Sequence, residues 1–332
     1  MNRYIFPIKG LNNIGSNNYM NAILQCLLHV NDLVVYFIDE FPKDQKTLLN
    51  INKDASTGGD ISRAFYNLIM GVCEWEDMNK NRKLNPKEIN KSYSFNSLGF
   101  FGDGKIYNYN DSNAYSPEEF LRTLEVYNPQ FRKFEVNEPK DLILYILQTM
   151  HKELNYFGNI NQRLKYIPNQ YDLSQVYSYF STNYNTNNFS KISLLFYGTY
   201  INTTKCSVCQ KILYIFQKFE FISFEMSNYN EKKFNLIDGF KDISGIHLLK
   251  GDNKFFCQIC NRKQDAETIY KIFEFPNYLL INIDYGKNKK YHPSSVEFDD
   301  IIDITQFAAF NPKQKKIKYQ ILCVCTYYGT PI

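Results

Sequence analysis

The sequence predicts an α+β fold, on three observations. Apolar residues recur at helical spacing in the first half. Met20, Ile23, Leu24, Leu27 and Leu28 share one face of residues 18–30, and Ile143, Ile146, Leu147 and Met150 share one face of residues 139–154. Runs of β-branched and aromatic residues follow in the second half, at 194–200, 212–226, 278–284 and 317–327. Helices that precede strands without alternating with them indicate a segregated α+β domain rather than a parallel βαβ sheet.

Taken in order, glycines at 10 and 15 make a tight turn into the first helix. Asn17 or Asn18 sits at its N-cap, where an amide oxygen accepts a bond from an open backbone N–H. Weaker helical segments cover 61–73 and 117–127, with a Gly/Asn/Ser-rich loop over 94–112. Asn137 suits the cap of the second helix and Pro139 its first turn. Residues 155–190 turn to Asn, Tyr and Ser and read as a surface insertion or lid without regular structure. The strands complete the chain, whose 332 residues and 44% hydrophobic content suffice for one large, multi-lobed domain.

Charge excludes some partners. With 38 basic and 34 acidic residues, no Lys/Arg stripe marks a nucleic-acid face, and the short basic run at 313–318 reads as a solvated loop. No run is apolar for the ~20 residues of a membrane span, and residues 1–10 resemble neither a signal nor a transit peptide. The expectation is an intracellular protein, cytoplasmic or nuclear, that touches neither nucleic acid nor membrane.

Cysteine spacing points to a metal. Four of the eight cysteines form two CxxC pairs, Cys206 with Cys209 and Cys257 with Cys260, each between strand-like segments. Two residues between thiolates let both face one ion, and two such knuckles complete a tetrahedral four-sulfur shell. The expected cofactor is structural zinc, closed to substrate; the alternative is four reduced core cysteines.

A family resemblance emerges at residues 10–27, Gly10-Leu11-Asn12-Asn13-Ile14-Gly15-Ser16-Asn17-Asn18-Tyr19-Met20-Asn21-Ala22-Ile23-Leu24-Gln25-Cys26-Leu27. This run resembles the cysteine box of the ubiquitin-specific proteases, G-L-x-N-L-G-N-T-C-Y-M-N-S-x-L-Q-C-L. Asn18 stands where that box has its nucleophilic cysteine, and Asn13 matches its oxyanion-hole donor. Ser116-Pro117-Glu118-Glu119-Phe120, Asn128-Pro129-Gln130-Phe131 and the helix ending His151-Lys152-Glu153-Leu154 are similar to later family segments. So are both CxxC pairs with Phe219-Glu220-Phe221-Ile222-Ser223. The family's Q-Q-D-A opening is degraded at Val136-Asn137-Glu138-Pro139, and its K-R-F is replaced by Asp284-Tyr285-Gly286. Tyr319 to Gly329 resembles Y-x-L-x-A-V-x-x-H-x-G, and the segment with the general-base histidine would lie beyond Ile332.

The resemblance implies a papain-like fold with helical thumb, β-sheet palm and zinc-ribbon fingers, truncated at its C-terminus. It divides a single 1–332 domain into a helical lobe at 1–155, an insertion at 156–192, and palm strands at 193–332 with fingers at about 200–265. Cysteine-protease chemistry needs a thiolate at a helix N-terminus, a histidine in reach, and a group that orients it. With Asn18 at the nucleophile position and no catalytic residue to name, the expectation is a protein that is not an enzyme. It would be a pseudoenzyme serving as scaffold or structural subunit of a larger complex, with ubiquitin or a ubiquitin-like protein as a candidate partner. Two alternatives remain open: an active deubiquitinase in engineered, shortened form, and a purely structural part of a filament or other large assembly.

Overall fold

The computed structural model describes residues 7, 9–15, 18–53, 57–73, 114–132, 137–158, 164–229, 233–286, 295–310 and 315–326. The expected loop at 94–112, Ser16, Asn17 and the end of the last motif, residues 327–332, lie outside them.

Helices gather first. They are α1 (Asn18–Leu28), α2 (Asn31–Val35), α3 (Phe41–Ile51), α4 (Asp60–Val72), α5 (Glu118–Tyr127), α6 (Pro139–Glu153), α7 (Leu173–Asn187) and α8 (Lys191–Phe196). One turn of π-helix, Tyr36–Glu40, joins α2 to α3. The predicted apolar faces point inward: Met20, Ile23, Leu24, Leu27, Leu28, Ile146, Leu147 and Met150 are buried in one helical core, together with Phe37 and Phe65. Each such side chain contributes about 1.5–3 kcal/mol by leaving water.

The second half is mostly strand. A four-stranded antiparallel sheet has the order β2 (Ile212–Phe219), β1 (Gly198–Cys206), β8 (Ala266–Glu274), β5 (Ile246–Leu249). β3 (Ile222–Glu225) pairs in parallel with β9 (Ile281–Asp284), and β4 (Lys233–Asn235) with β10 (Ser295–Glu297). α9 (Leu236–Ile243) places Phe240 against Phe224 and Phe307 in a second core. Two further antiparallel pairs are β6 (Phe255–Cys257) with β7 (Arg262–Gln264), and β11 (Ile301–Asp303) with β12 (Lys318–Gln320). Tyr278 joins the halves, its backbone N–H donating to Leu195 and its hydroxyl to Asp32.

Several local expectations are corrected. Residues 155–190 contain a 15-residue helix, α7. Asp172 caps it by accepting from the N–H groups of Ser174 and Gln175, and Phe180 stacks on Phe216 of β2. Its inward face is largely aromatic, so the Asn/Tyr/Ser composition hid a helical stripe. Residues 194–196 are helical rather than strand, because Ser190 starts α8 with a reciprocal bond pair to Ser193. Asn137 does not cap α6; it donates to Gln130 and Tyr19 while Glu138 holds the cap position. The last strand is short, with ladder pairing confined to 318–320. No single helix among the described residues is long and apolar enough to cross a membrane.

Candidate active site and metal centre

The turn at 10–15 is fixed from two sides. Residues 114–115 run beside it: Asn12 N–H donates to Tyr115, Tyr115 N–H to Gly10, and the Asn12 amide to Ala114. From below, Asn21 Nδ2 donates to the Asn12 carbonyl at 3.0 Å and Gln25 Nε2 to the Lys9 carbonyl at 3.4 Å. Asn21 and Gln25 are four residues apart and so lie on one face of α1. The helix thereby carries the turn. These positioning residues lie inside the motif, where spacing carries no sign of their role; it arises only because the turn folds back onto α1.

Asn18 is the first residue of α1 and is exposed. Helix N-termini expose unpaired N–H groups with partial positive charge, which would depress the pKa of a thiol placed there. An amide gains no such activation. Asn13 is exposed, and its Oδ1 accepts from Gly15 N–H. That leaves its Nδ2 as the end that can donate toward an oxyanion.

The cysteines and histidines of the helical half lie elsewhere. Cys26 is half-buried two turns along α1, and Cys73 is buried at the end of α4. His29 Nδ1 lies 2.7 Å from the Gln25 carbonyl at the far end of α1. His151 is buried, its Nδ1 2.6 Å from Ser190 Oγ, and burial pushes its pKa down to about 4. It is a neutral packing residue that bonds to the cap of α8.

The four CxxC cysteines do converge. Their sulfurs all lie within 4.8 Å of one another, with Cys206 to Cys260 at 4.0 Å and Cys209 to Cys257 at 3.6 Å. Sulfurs bound to a tetrahedral zinc at about 2.3 Å stand about 3.8 Å apart, so the spacing fits such an ion. Gln210 and Asn261, each just after the second cysteine of a pair, have φ of 60° and 51°. That left-handed turn at both knuckles lets backbone N–H groups face the sulfurs. Burial pushes the Cys206 thiol up, but the N–H groups of Cys209 and Val208 outweigh it and bring it to about 7. Burial and the neighbouring sulfurs push Cys260 up to about 12. Four sulfurs this close could hold a metal ion.

Comparison with known proteins agrees with this layout. The family model described as "Ubiquitin carboxyl-terminal hydrolase" matches residues 9–332. Ubiquitin carboxyl-terminal hydrolase 4 of Eremothecium gossypii is 24% identical over 93% of this chain, and hydrolase 5 of Saccharomyces cerevisiae is 24% identical over 91%. The chain spans 33% and 34% of those two proteins, about a third of their length. Among solved structures, a chain of the SAGA Ubp8/Sgf11/Sus1/Sgf73 DUB module bound to ubiquitin aldehyde superposes with a TM-score of 0.58. It is 16% identical, with 94% of this chain and 57% of that one covered, a likeness of fold. The expected papain-like thumb, palm and fingers fold is therefore present. These findings overturn the expectation that the chain is not an enzyme: the family is one of cysteine-type hydrolases, and both relatives carry a hydrolase's name. Matched along almost its whole length, this chain belongs to the ubiquitin carboxyl-terminal hydrolase family.

Proposed function

We propose that this chain is the ubiquitin-handling domain of a deubiquitinating enzyme. It holds ubiquitin against sheet and fingers and leads ubiquitin's C-terminus to the N-terminal end of α1. The family match over residues 9–332 carries the reading. Two features support it. The turn at 10–15 is held rigidly over the α1 N-terminus, with Asn13 offering a donor where an oxyanion would form. Apolar side chains stand out from the finger region, Val208 and Ile259 at the knuckles and Ile246 and Leu248 on β5, a surface suited to a protein partner.

Zinc is the proposed ion at Cys206, Cys209, Cys257 and Cys260, where it would hold the fingers together with no open coordination position. The Asn18 amide is no nucleophile, so hydrolysis needs an attacking group other than residue 18. Grip on ubiquitin needs none. That asymmetry favours a second role within the same reading, a ubiquitin-holding subunit of a protein assembly. The solved relative is itself described with three other proteins.

The test is a titration with ubiquitin beside a turnover assay on ubiquitin carrying a fluorogenic C-terminal amide. Saturable binding with release of the fluorophore above blank is expected. Neither binding nor release would overturn the proposal. Binding without release would overturn the hydrolase reading.

A further inference from the structure

The chain that leads into the turn at 10–15 is held on three sides. Asn21 and Gln25 of α1 hold it from below. Residues 114–115 run beside it: Leu11 bridges Tyr115 in parallel, with Asn12 N–H donating to the Tyr115 carbonyl and Tyr115 N–H to the Gly10 carbonyl, each at 2.9 Å. The end of α4 is the third side. Pro7 bridges Cys73, and Lys9 Nζ donates to the Gly71 carbonyl at 3.2 Å.

One contact joins the second side to the third. The Tyr115 ring lies directly on Gly71 of α4. A Cβ at residue 71 would stand 2.6 Å from ring Cδ2 and 2.7 Å from Cζ, with Cε2 closer still. Either distance is too short for a real Cβ, so a side chain there must push the ring aside. Gly71 lies inside the helix and has no positive φ, so its backbone conformation does not call for glycine. The approach of the ring does.

We infer that Gly71 and Tyr115 are positioning residues that set where the turn at 10–15, and with it Asn13, stands over the N-terminus of α1. This role rests on the reading of that turn as the oxyanion side of a hydrolase site. The Tyr115 ring packs against the helical core while its backbone pairs with the turn. Displacing the ring therefore moves residues 114–115, which carry Gly10 and Asn12 with them. Asn13 is the next residue along, and a shift of about 1 Å in a catalytic donor can cost about 100-fold in rate.

The test compares Gly71→Ala, Tyr115→Ala and the double variant. Alanine favours a helix, so Gly71→Ala should leave α4 itself intact or firmer. In that variant, deuterium exchange at the Asn12 and Tyr115 amides should accelerate by about tenfold or more, while α1 and α6 keep their protection. Release from ubiquitin carrying a fluorogenic C-terminal amide should lose about tenfold or more in kcat at unchanged KM. In Tyr115→Ala, which has no ring to displace, adding Gly71→Ala should change neither readout. The inference is overturned by native exchange at both amides in Gly71→Ala, by an equal loss with and without the ring, or by faster exchange at native kcat. A native protein that releases no fluorophore would sink the hydrolase reading alone, and exchange at Asn12 and Tyr115 would still decide whether Gly71 sets the turn.

Discussion

At the scale of single residues, the side chains that resemble catalytic groups are not all placed for catalysis, and the structure separates them by environment. Glu153 is fully buried at the end of α6, where it accepts from Thr57, Ser62 Oγ at 2.5 Å, Ser62 N–H at 2.8 Å and Ile61 N–H at 3.2 Å. It caps the first turn of α4 across the core. Glu153→Ala would strand these donors and should cost about 2–4 kcal/mol in denaturant unfolding. His151 gives a pH signature. Its folded pKa of about 4 lies below the ordinary 6.5, so the folded state refuses a proton that the unfolded chain accepts. Its stabilisation is complete above pH 6.5 and is lost as pH falls toward 4, about 3 kcal/mol in all. Glu153, whose pKa burial raises, works the other way, because protonation on acidification favours the folded state. The comparison that isolates the histidine is native protein against His151→Gln, whose stability should fall less between pH 6.5 and 4. For residue 18, Asn18→Cys should bring a thiol into the field of the α1 N-terminus. The variant should then react covalently at that position with ubiquitin bearing a C-terminal electrophile, read by mass, where the native residue cannot.

At the scale of elements, what the sequence revealed depended on which physical signal held each piece. α1 and α6 were legible because their apolar residues repeat at 3–4-residue spacing and the core they face is mostly aliphatic and aromatic. The knuckles were legible because two-residue spacing is itself the geometry of a shared ion. α7 was hidden because its packing rests on Tyr177 and Phe180 beneath a polar composition, and its start depends on one aspartate. Asp172→Ala should lower stability by about 1 kcal/mol, seen as a lower denaturant midpoint at unchanged slope. The strand run at 317–327 overstated its ladder, since β-propensity reports a side chain's fit to a sheet and says little of where a partner strand ends. Contacts such as Asn21 to the Asn12 carbonyl, or Cys26 to Cys323, depend on the folded path and carry no spacing signal.

At the scale of the whole molecule, two cores of different origin share one chain. The helical core joins extensive apolar burial to the buried Glu153 network, while the fingers end in the small β6–β7 hairpin with little apolar burial of its own. Stability in that region should therefore rest on the ion. Metal analysis of the purified protein should find one zinc per chain. Chelation should strip hydrogen-exchange protection from β6, β7 and the knuckle ends of β1 and β8, while α1, α4 and α6 keep theirs.

The two longest strands join these regions. β1 and β8, nine residues each, run antiparallel from Cys206 and Ala266 at the knuckles to a bulge at Thr199 and Tyr200. At about 3.3 Å per residue this is a beam of about 30 Å. Its base is braced where Glu274 takes an ion pair from Lys218 and hydrogen bonds from Thr199 and Tyr177. A beam anchored at one end and weighted at the other is a lever. A pivot of about 5° at the bulge would swing the knuckles by about 3 Å over that length. A small change of tilt at the braced base would therefore be multiplied at the four cysteines, which stand at the opposite end of the strands.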